Sequence, residues 1–353
     1  MSSNITRFGI LGSGKIATDF CTALSYLAGD VKAVAVAARA LDSAKDFASK
    51  FDIPRAYGSY EELTKDPEVD VIYISVLHPW HYNTALMCLQ NGKGILCEKP
   101  LTMNAKQLEH LISVARERKL FFMEAMWTRY FPYSMRLREL IKEGIIGDVK
   151  LFQVNFCLPP IDDATHRVND PKLGGGALLD IGIYTIAFSQ MVFEGRVPVK
   201  TNVQSQMNSL GADVFDHIVL EYDQGEKSIH TLSMVSPSEN HAIISGTRGY
   251  IKVDAPFNCS TGFTAHVITE DGTNTTQRYD YPLPPVIPGT SFYFPNGVGM
   301  VHEARYVHKL IQSGKIESDQ ETLEESLDIM KILDELRRQM GLVYEADSQP
   351  LLH

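Results

Sequence analysis

The chain has 353 residues, 44% apolar and 22% charged, the proportions of a folded globular protein, which exclude a disordered or fibrous chain. That length suits about two domains of ~150 residues each. Thirty-three basic residues against 43 acidic ones leave a formal charge of −10, which disfavours nucleic acid or an anionic membrane surface as partner. No run reaches the ~18 uninterrupted apolar residues of a membrane span. The start, Met1-Ser2-Ser3-Asn4-Ile5-Thr6-Arg7, enters a strand pattern without the basic and apolar stretches of a signal peptide. Cys21, Cys88, Cys97, Cys157 and Cys259 are scattered, with no Cys-x-x-Cys, so free thiols in a reducing, cytoplasmic compartment are expected.

From Arg7 to Met126 short apolar runs alternate with helical patterns. Arg7–Leu11 precedes a helix to about Ala28; Val31–Ala38 precedes Asp42–Phe51; Asp70–Val76 precedes Trp80–Gln90; Gly94–Glu98 precedes Asn104–Lys119; Leu120–Met126 closes the series. Continuous apolar strands separated by helices predict an α/β domain, a doubly wound parallel sheet covered on both faces. After Tyr130 the pattern becomes strands joined by turns: Lys150–Cys157, Val214–Asp223, Lys227–Val235, Ala242–Ser245 and Ile251–Asp254, with one helix from Ala177 to about Phe193. This predicts an α+β domain on an antiparallel sheet. The prolines of residues 282–295 predict an irregular loop, followed by helices Met300–Ser313 and Thr322–Met340. In the last helix Leu323, Leu327, Met330 and Leu333 form a stripe expected to pack on the first domain. The division is residues 1–126 and 127–353.

Gly12-Ser13-Gly14-Lys15-Ile16-Ala17 fits G-x-G-x-x-A between a strand and a helix. The first glycine permits the turn, the second lets a pyrophosphate approach the backbone, and the small third residue lets helix and strand pack. The helix amino terminus then holds phosphate. Glycines here can also be turn formers only. The second strand ends in Ala38 with no acid to bond a ribose, and Arg39 follows; a guanidinium suits a 2′-phosphate, so NADP is expected, with a solvated loop arginine as the plain alternative.

Lys99, in Cys97-Glu98-Lys99-Pro100, stands beyond the carboxyl end of a parallel strand, where ligands bind in such sheets. It is either an ordinary surface lysine or a donor to a substrate hydroxyl. Asp180 and Tyr184 are four apart on an otherwise apolar helix after Gly174-Gly175-Gly176. An apolar helix carries an acid that is paired or chemically active, and a tyrosine beside an ammonium can serve as general acid–base; a capping aspartate and a packed tyrosine are the alternative. His78 and His81 are three apart with no third ligand in sight, so no metal is expected; they cap their helix or line the nicotinamide side.

Taken together, Gly12-x-Gly14, Glu98-Lys99-Pro100 and the Gly-Gly-Ala-Leu-Leu-Asp-x-Gly-x-Tyr stretch ending at Tyr184 resemble the Gfo/Idh/MocA oxidoreductases. Tyr184, with Met123–Pro132, resembles the subgroup of dimeric dihydrodiol dehydrogenases and NADP-dependent D-xylose dehydrogenases. The resemblance extends through His78-Pro79-x-His81 and Asn296-Gly297-x-Gly299. It implies a Rossmann domain at residues 1–126, a substrate-binding domain with an open antiparallel sheet, and a homodimer through that sheet. It implies cofactor contacts from Gly12, Ser13, Gly14, Lys15, Ile16, Arg39, His78, Glu98 and Lys99, and catalytic roles for Lys99, Tyr184 and Asp180. Trp127, Arg129, Phe156 and Phe294 would line the substrate pocket. The implied reaction takes a hydride from a hydroxyl-bearing carbon of an aldose or trans-dihydrodiol to NADP, while Lys99 and Tyr184 assist loss of the hydroxyl proton. A reductase of a ketose or dicarbonyl sugar and a non-catalytic dinucleotide sensor are the alternatives. Two departures stand out: Asp42 after Arg39 leaves room for NAD, and Pro256-Phe257-Asn258-Cys259 lacks the tryptophan of mammalian members, with Phe257 or Trp80 as candidate replacements.

Overall fold

The computed structural model describes residues 5–161, 163 and 165–352; the amino-terminal reading above rests partly on residues outside this range. The chain forms two compact units. One runs to Phe131 and also takes Leu283–Glu324 and the tail from Pro350; the other holds Pro132–Pro282 and Glu325–Gln349.

The first unit contains β1 (Thr6–Leu11), α1 (Lys15–Leu24), β2 (Val31–Ala37), α2 (Leu41–Lys50), β3 (Arg55–Tyr57), α3 (Tyr60–Thr64), β4 (Val71–Ile74), α4 (His78–Gln90), β5 (Gly94–Glu98), α5 (Ala105–Arg118) and β6 (Phe122–Ala125). The strands form one parallel sheet in the order β3-β2-β1-β4-β5-β6. The central strands β4 and β5 are buried at every residue, which is why they read as unbroken apolar runs. The short β3 and α3 escape a sequence reading because neither is long enough to show a period. Ser59 starts α3, its side chain accepting from the Glu62 N–H at 3.3 Å.

The second unit contains α6 (Pro132–Lys142), β7 (Val149–Cys157), α7 (Ile183–Val192), β8 (Lys200–Met207), β9 (Asp213–Glu221), β10 (Lys227–Ser233), β11 (Ala242–Gly246), β12 (Gly249–Val253), β13 (Gly262–Ile268) and β14 (Asn274–Asp280). Its eight strands run in the order β14-β13-β12-β11-β7-β10-β9-β8, antiparallel except for the β7–β10 pair. The edge strands β8 and β14 are polar and mostly exposed, so they carry no apolar alternation to signal them. Residues 282–295 have no regular element, as their prolines require. Helix α8 (Met300–Gln312) lies in the first unit, whereas from Glu325 onward α9 (Leu323–Met340) belongs to the second. Of the stripe, Leu323 falls in the first unit and Leu327 is half-buried, while Met330 and Leu333, with Leu336, Ile329 and Ile332 beside them, are buried residues of the second.

Within Pro171–Val192 an 18-residue window has the mean hydropathy, 1.3, of a membrane-crossing helix, yet 94% of that window is buried within the protein. It is a core helix. One sheet face packs on it through Phe152, whose ring stacks on Phe188 at 5.4 Å and meets His230 edge-on at 5.9 Å. Phe152→Ala should cost about 3–5 kcal/mol in urea unfolding by loss of contact and formation of a cavity; an unchanged midpoint would contradict this packing.

Candidate active site

In the first unit, the backbone turns at Gly12 with φ +109°, and a Cβ there would sit 2.7 Å from Ser75 Oγ, so both conformation and space demand glycine. Gly14 caps α1 with no side-chain hydrogen bond and open space where a Cβ would be. Gly14 and Lys15 are exposed, Ser13 and Ile16 half-buried, and Ala17 packs inward. An amino terminus left uncapped by side chains, with room for close approach, fits the pyrophosphate of a dinucleotide. Arg39 is exposed just beyond β2 and close enough to Tyr60, the first residue of α3, for its charge to oppose the rise that burial causes in that phenol.

One turn into α1, Asp19 is fully buried and accepts from the N–H groups of Tyr293 at 2.9 Å and Phe294 at 2.9 Å. It thereby ties the irregular loop to the helix that opens at the glycine turn. Lys15 lies 5.8 Å from the Tyr293 ring centre, and Phe294 keeps 40% of its surface exposed. The sequence signal for Asp19 was an acid on the inner side of an apolar helix.

Lys99 follows β5 and is half-buried, while Glu98 before it is enclosed. Tyr73 donates to Glu98 and stacks on Phe20 at 3.9 Å. Burial raises the Glu98 carboxyl to about 7, against the pull of the Tyr73 hydroxyl and the Lys99 charge. The Lys99–Pro100 peptide is cis. The Leu101 N–H donates to Glu124 at 3.3 Å, and His81 bridges the Pro100 carbonyl (2.7 Å) and the Val76 carbonyl (2.9 Å). Both partners are acceptors, so the ring satisfies them together only when both nitrogens carry hydrogen. His81 thus fastens the loop after β4 to the residue following Lys99, and the buried His78 ring lies 5.7 Å from it. Trp127 meets Phe131 edge-on at 5.3 Å, and Arg129 donates to the Gln320 carbonyl at 3.0 Å; both are buried. Among the described residues no group of three or more potential ligands is disposed to hold a metal ion.

In the second unit, the turn holding Asp180 is a π-helix, Leu178–Gly182, and α7 follows without a break. A continuous α-helix was the expectation; widened turns of this kind often occur at functional positions. Asp180 is paired: the Arg167 guanidinium donates to both of its oxygens, at 3.0 and 3.3 Å. Arg167 has no signature in the sequence because it lies in a short, irregular segment, outside any periodic pattern. Tyr184 is half-buried with its ring 5.9 Å from Phe156. Phe156 in turn meets Phe257 edge-on at 5.6 Å. Phe257 has no exposed surface and also packs on Phe188 at 5.7 Å. It therefore backs the Phe156 ring; Trp80, by contrast, is 56% exposed on α4.

Residues 6–126 match a family described as oxidoreductases with an NAD-binding Rossmann fold, and residues 134–252 match the GFO/IDH/MocA C-terminal domain. The chain is 40% identical over 342 residues to a trans-1,2-dihydrobenzene-1,2-diol dehydrogenase of Xenopus tropicalis, covering 96% of this chain and 99% of the relative. The human protein of that name is 39% identical over 344 residues, covering 97% and 99%. Among solved structures, KijD10, a 3-ketoreductase from Actinomadura kijaniata in complex with TDP-benzene and NADP, superposes with a TM-score of 0.76 at 26% identity, covering 94% of this chain and 96% of that one.

A carboxyl with a raised folded pKa binds its proton more tightly in the native state, so its contribution is intact below the unfolded value of 4.5 and is lost as pH rises towards 7. Relative to Glu98→Gln, the wild-type protein should lose up to about 1.4 kcal/mol per pH unit over that window in urea unfolding. Parallel curves would contradict a neutral, Tyr73-bonded Glu98 at low pH.

Proposed function

Because the chain belongs to the Gfo/Idh/MocA family of oxidoreductases, we propose that it is an NADP-dependent dehydrogenase acting on a hydroxyl-bearing carbon of a trans-dihydrodiol or an aldose such as D-xylose. The observation that carries this reading is the uncapped end of α1 behind Gly12 and Gly14, with Arg39 in place of an acid beyond β2. The dihydrodiol dehydrogenases similar over nearly the whole length support the substrate class. The NADP held by the similar ketoreductase supports the cofactor.

Gly12, Ser13, Gly14, Lys15 and Ile16 would hold the pyrophosphate, Arg39 the 2′-phosphate, and His78, Glu98 and Lys99 the nicotinamide end. When bound, NADP accepts a hydride from the substrate carbon. Tyr184, acting as its phenolate, takes the hydroxyl proton as general base, and the Lys99 ammonium stabilises the substrate oxygen as its charge develops. Asp180, held by Arg167, keeps the Tyr184 turn oriented. Trp127, Arg129, Phe156 and Phe294 contact the substrate. Hydride transfer is reversible, so reduction of a carbonyl sugar uses the same groups.

A homodimer through the open face of the eight-stranded sheet belongs to the same reading: Val219, Ile229 and Ile243 alternate away from its buried face and keep partial exposure. Five free, buried cysteines fit a cytoplasmic protein.

Lys99→Met and Tyr184→Phe should each lower kcat by about 10²–10⁴, and in Tyr184→Phe fluorescence titration should show NADPH affinity within about twofold; undiminished turnover in either variant would reject the assigned roles. Loss of a bidentate, charge-assisted contact in Arg39→Ala should raise KM for NADP about 10–100-fold. The same change should leave KM for NAD nearly unaltered, and an equal effect on both would show that Arg39 does not read the 2′-phosphate.

A further inference from the structure

Asp213 and Asp216 are fully buried, and the chemistry above uses neither. Three apart in a regular strand, they would face opposite sides of the sheet. The register of β9 slips here: Met207 pairs with Asp213 and Gln206 with Phe215, leaving Val214 as an extra residue. Such a bulge re-aims a side chain, and it brings the two carboxyls within hydrogen-bonding reach of each other.

Asp213 Oδ2 accepts from the Leu178 N–H at 2.6 Å, in the first turn of the helix that carries Asp180 and Tyr184. Its Oδ1 lies 2.1 Å from where a Cβ on Gly176 would be, and Gly176 has φ +126°. This carboxyl therefore explains the last glycine of Gly174-Gly175-Gly176. Beside it, the Tyr344 hydroxyl donates to the Gly175 carbonyl at 2.9 Å, with Arg337 5.0 Å over the Tyr344 ring. Ser205 pairs with Asp216 across from β8, and Leu232 from β10. Among the described residues, Asp213 Oδ1 and both Asp216 oxygens have no well-formed hydrogen bond, the Ser205 hydroxyl on β8 being the neighbouring donor that acts on Asp216. Two neighbouring carboxylates, both fully buried, cannot both stay ionised in such a place. A proton held by one supplies the donor that Asp213 Oδ1 lacks.

We propose that Asp213 and Asp216 share one proton, Asp216 donating it to an ionised Asp213, and that Asp213 thereby acts as the positioning residue that caps and aims the Tyr184 helix. Burial and the Asp213 charge push the Asp216 carboxyl up to about 9, in keeping with that division. The positioning role rests on the reading that Tyr184 serves the substrate; the shared proton does not.

Two measurements test it. Asp216 binds its proton more tightly folded than unfolded, so its stabilisation is complete below the ordinary value of 3.8 and falls as pH rises towards 9. Thermal midpoints without substrate should therefore fall with pH about 2–4 °C per unit more steeply in wild type than in Asp216→Asn, whose amide keeps a donor without titrating. Parallel slopes overturn the shared proton. In turnover, Asp216→Val should lower kcat at least tenfold more than Asp216→Asn, with NADPH affinity equal in both. Equal kcat in the two variants overturns the positioning role. If no dihydrodiol or aldose is turned over yet the thermal slopes differ as stated, the dehydrogenase reading fails and the proton-sharing pair stands.

Discussion

A helix with apolar residues on every side cannot bring a carboxylate and an open amino-terminal end into a protein interior unless other elements supply their partners. The helix carrying Asp180 and Tyr184 meets that constraint with parts from four places. Arg167 neutralises Asp180, Asp213 receives the Leu178 N–H, Tyr344 bonds the Gly175 carbonyl, and the glycines leave the backbone free to approach. Each of these partners leaves Tyr184 a defined place beside Phe156, whose ring is backed by Phe257. The substrate chemistry proposed for this helix would thus depend on polar residues that need not touch substrate.

The first unit obeys the same economy in a different form. A parallel sheet leaves its loops at the carboxyl ends of the strands, and here those loops are fastened to one another. His81 joins the ends of β4 and β5, Glu124 at β6 receives the Leu101 N–H, and Asp19 on α1 holds the loop of Tyr293 and Phe294. Gly12 and Gly14 stand where the proposed dinucleotide would bring its phosphates close. Rigidity around Lys99 and openness at the end of α1 are therefore properties of one set of loops.

Much of this was legible in the chain. Buried parallel strands announce themselves as unbroken apolar runs, and Gly12, Lys99, Asp180 and Tyr184 stand at the ends of elements that periodicity locates. Other parts have no local signature. The edge strands β8 and β14 are polar because they face water, and β3 and α3 are too short to show a period. The pairs Arg167–Asp180 and Asp19–Tyr293 exist only once the chain has folded. Asp213 and Asp216 read as a strand with alternating burial until the bulge at Val214 turns one towards the other.

The proposed transfer is tested most directly by following the hydrogen itself. The protein would be incubated with NADP and either D-xylose deuterated at the anomeric carbon or a trans-dihydrodiol deuterated at its carbinol carbons, and the recovered nucleotide examined by mass spectrometry and NMR. One deuterium at C4 of the nicotinamide ring from at least one of these substrates is the expected result. Reduced nucleotide without the label, or none formed from either substrate, would contradict direct transfer from a hydroxyl-bearing carbon.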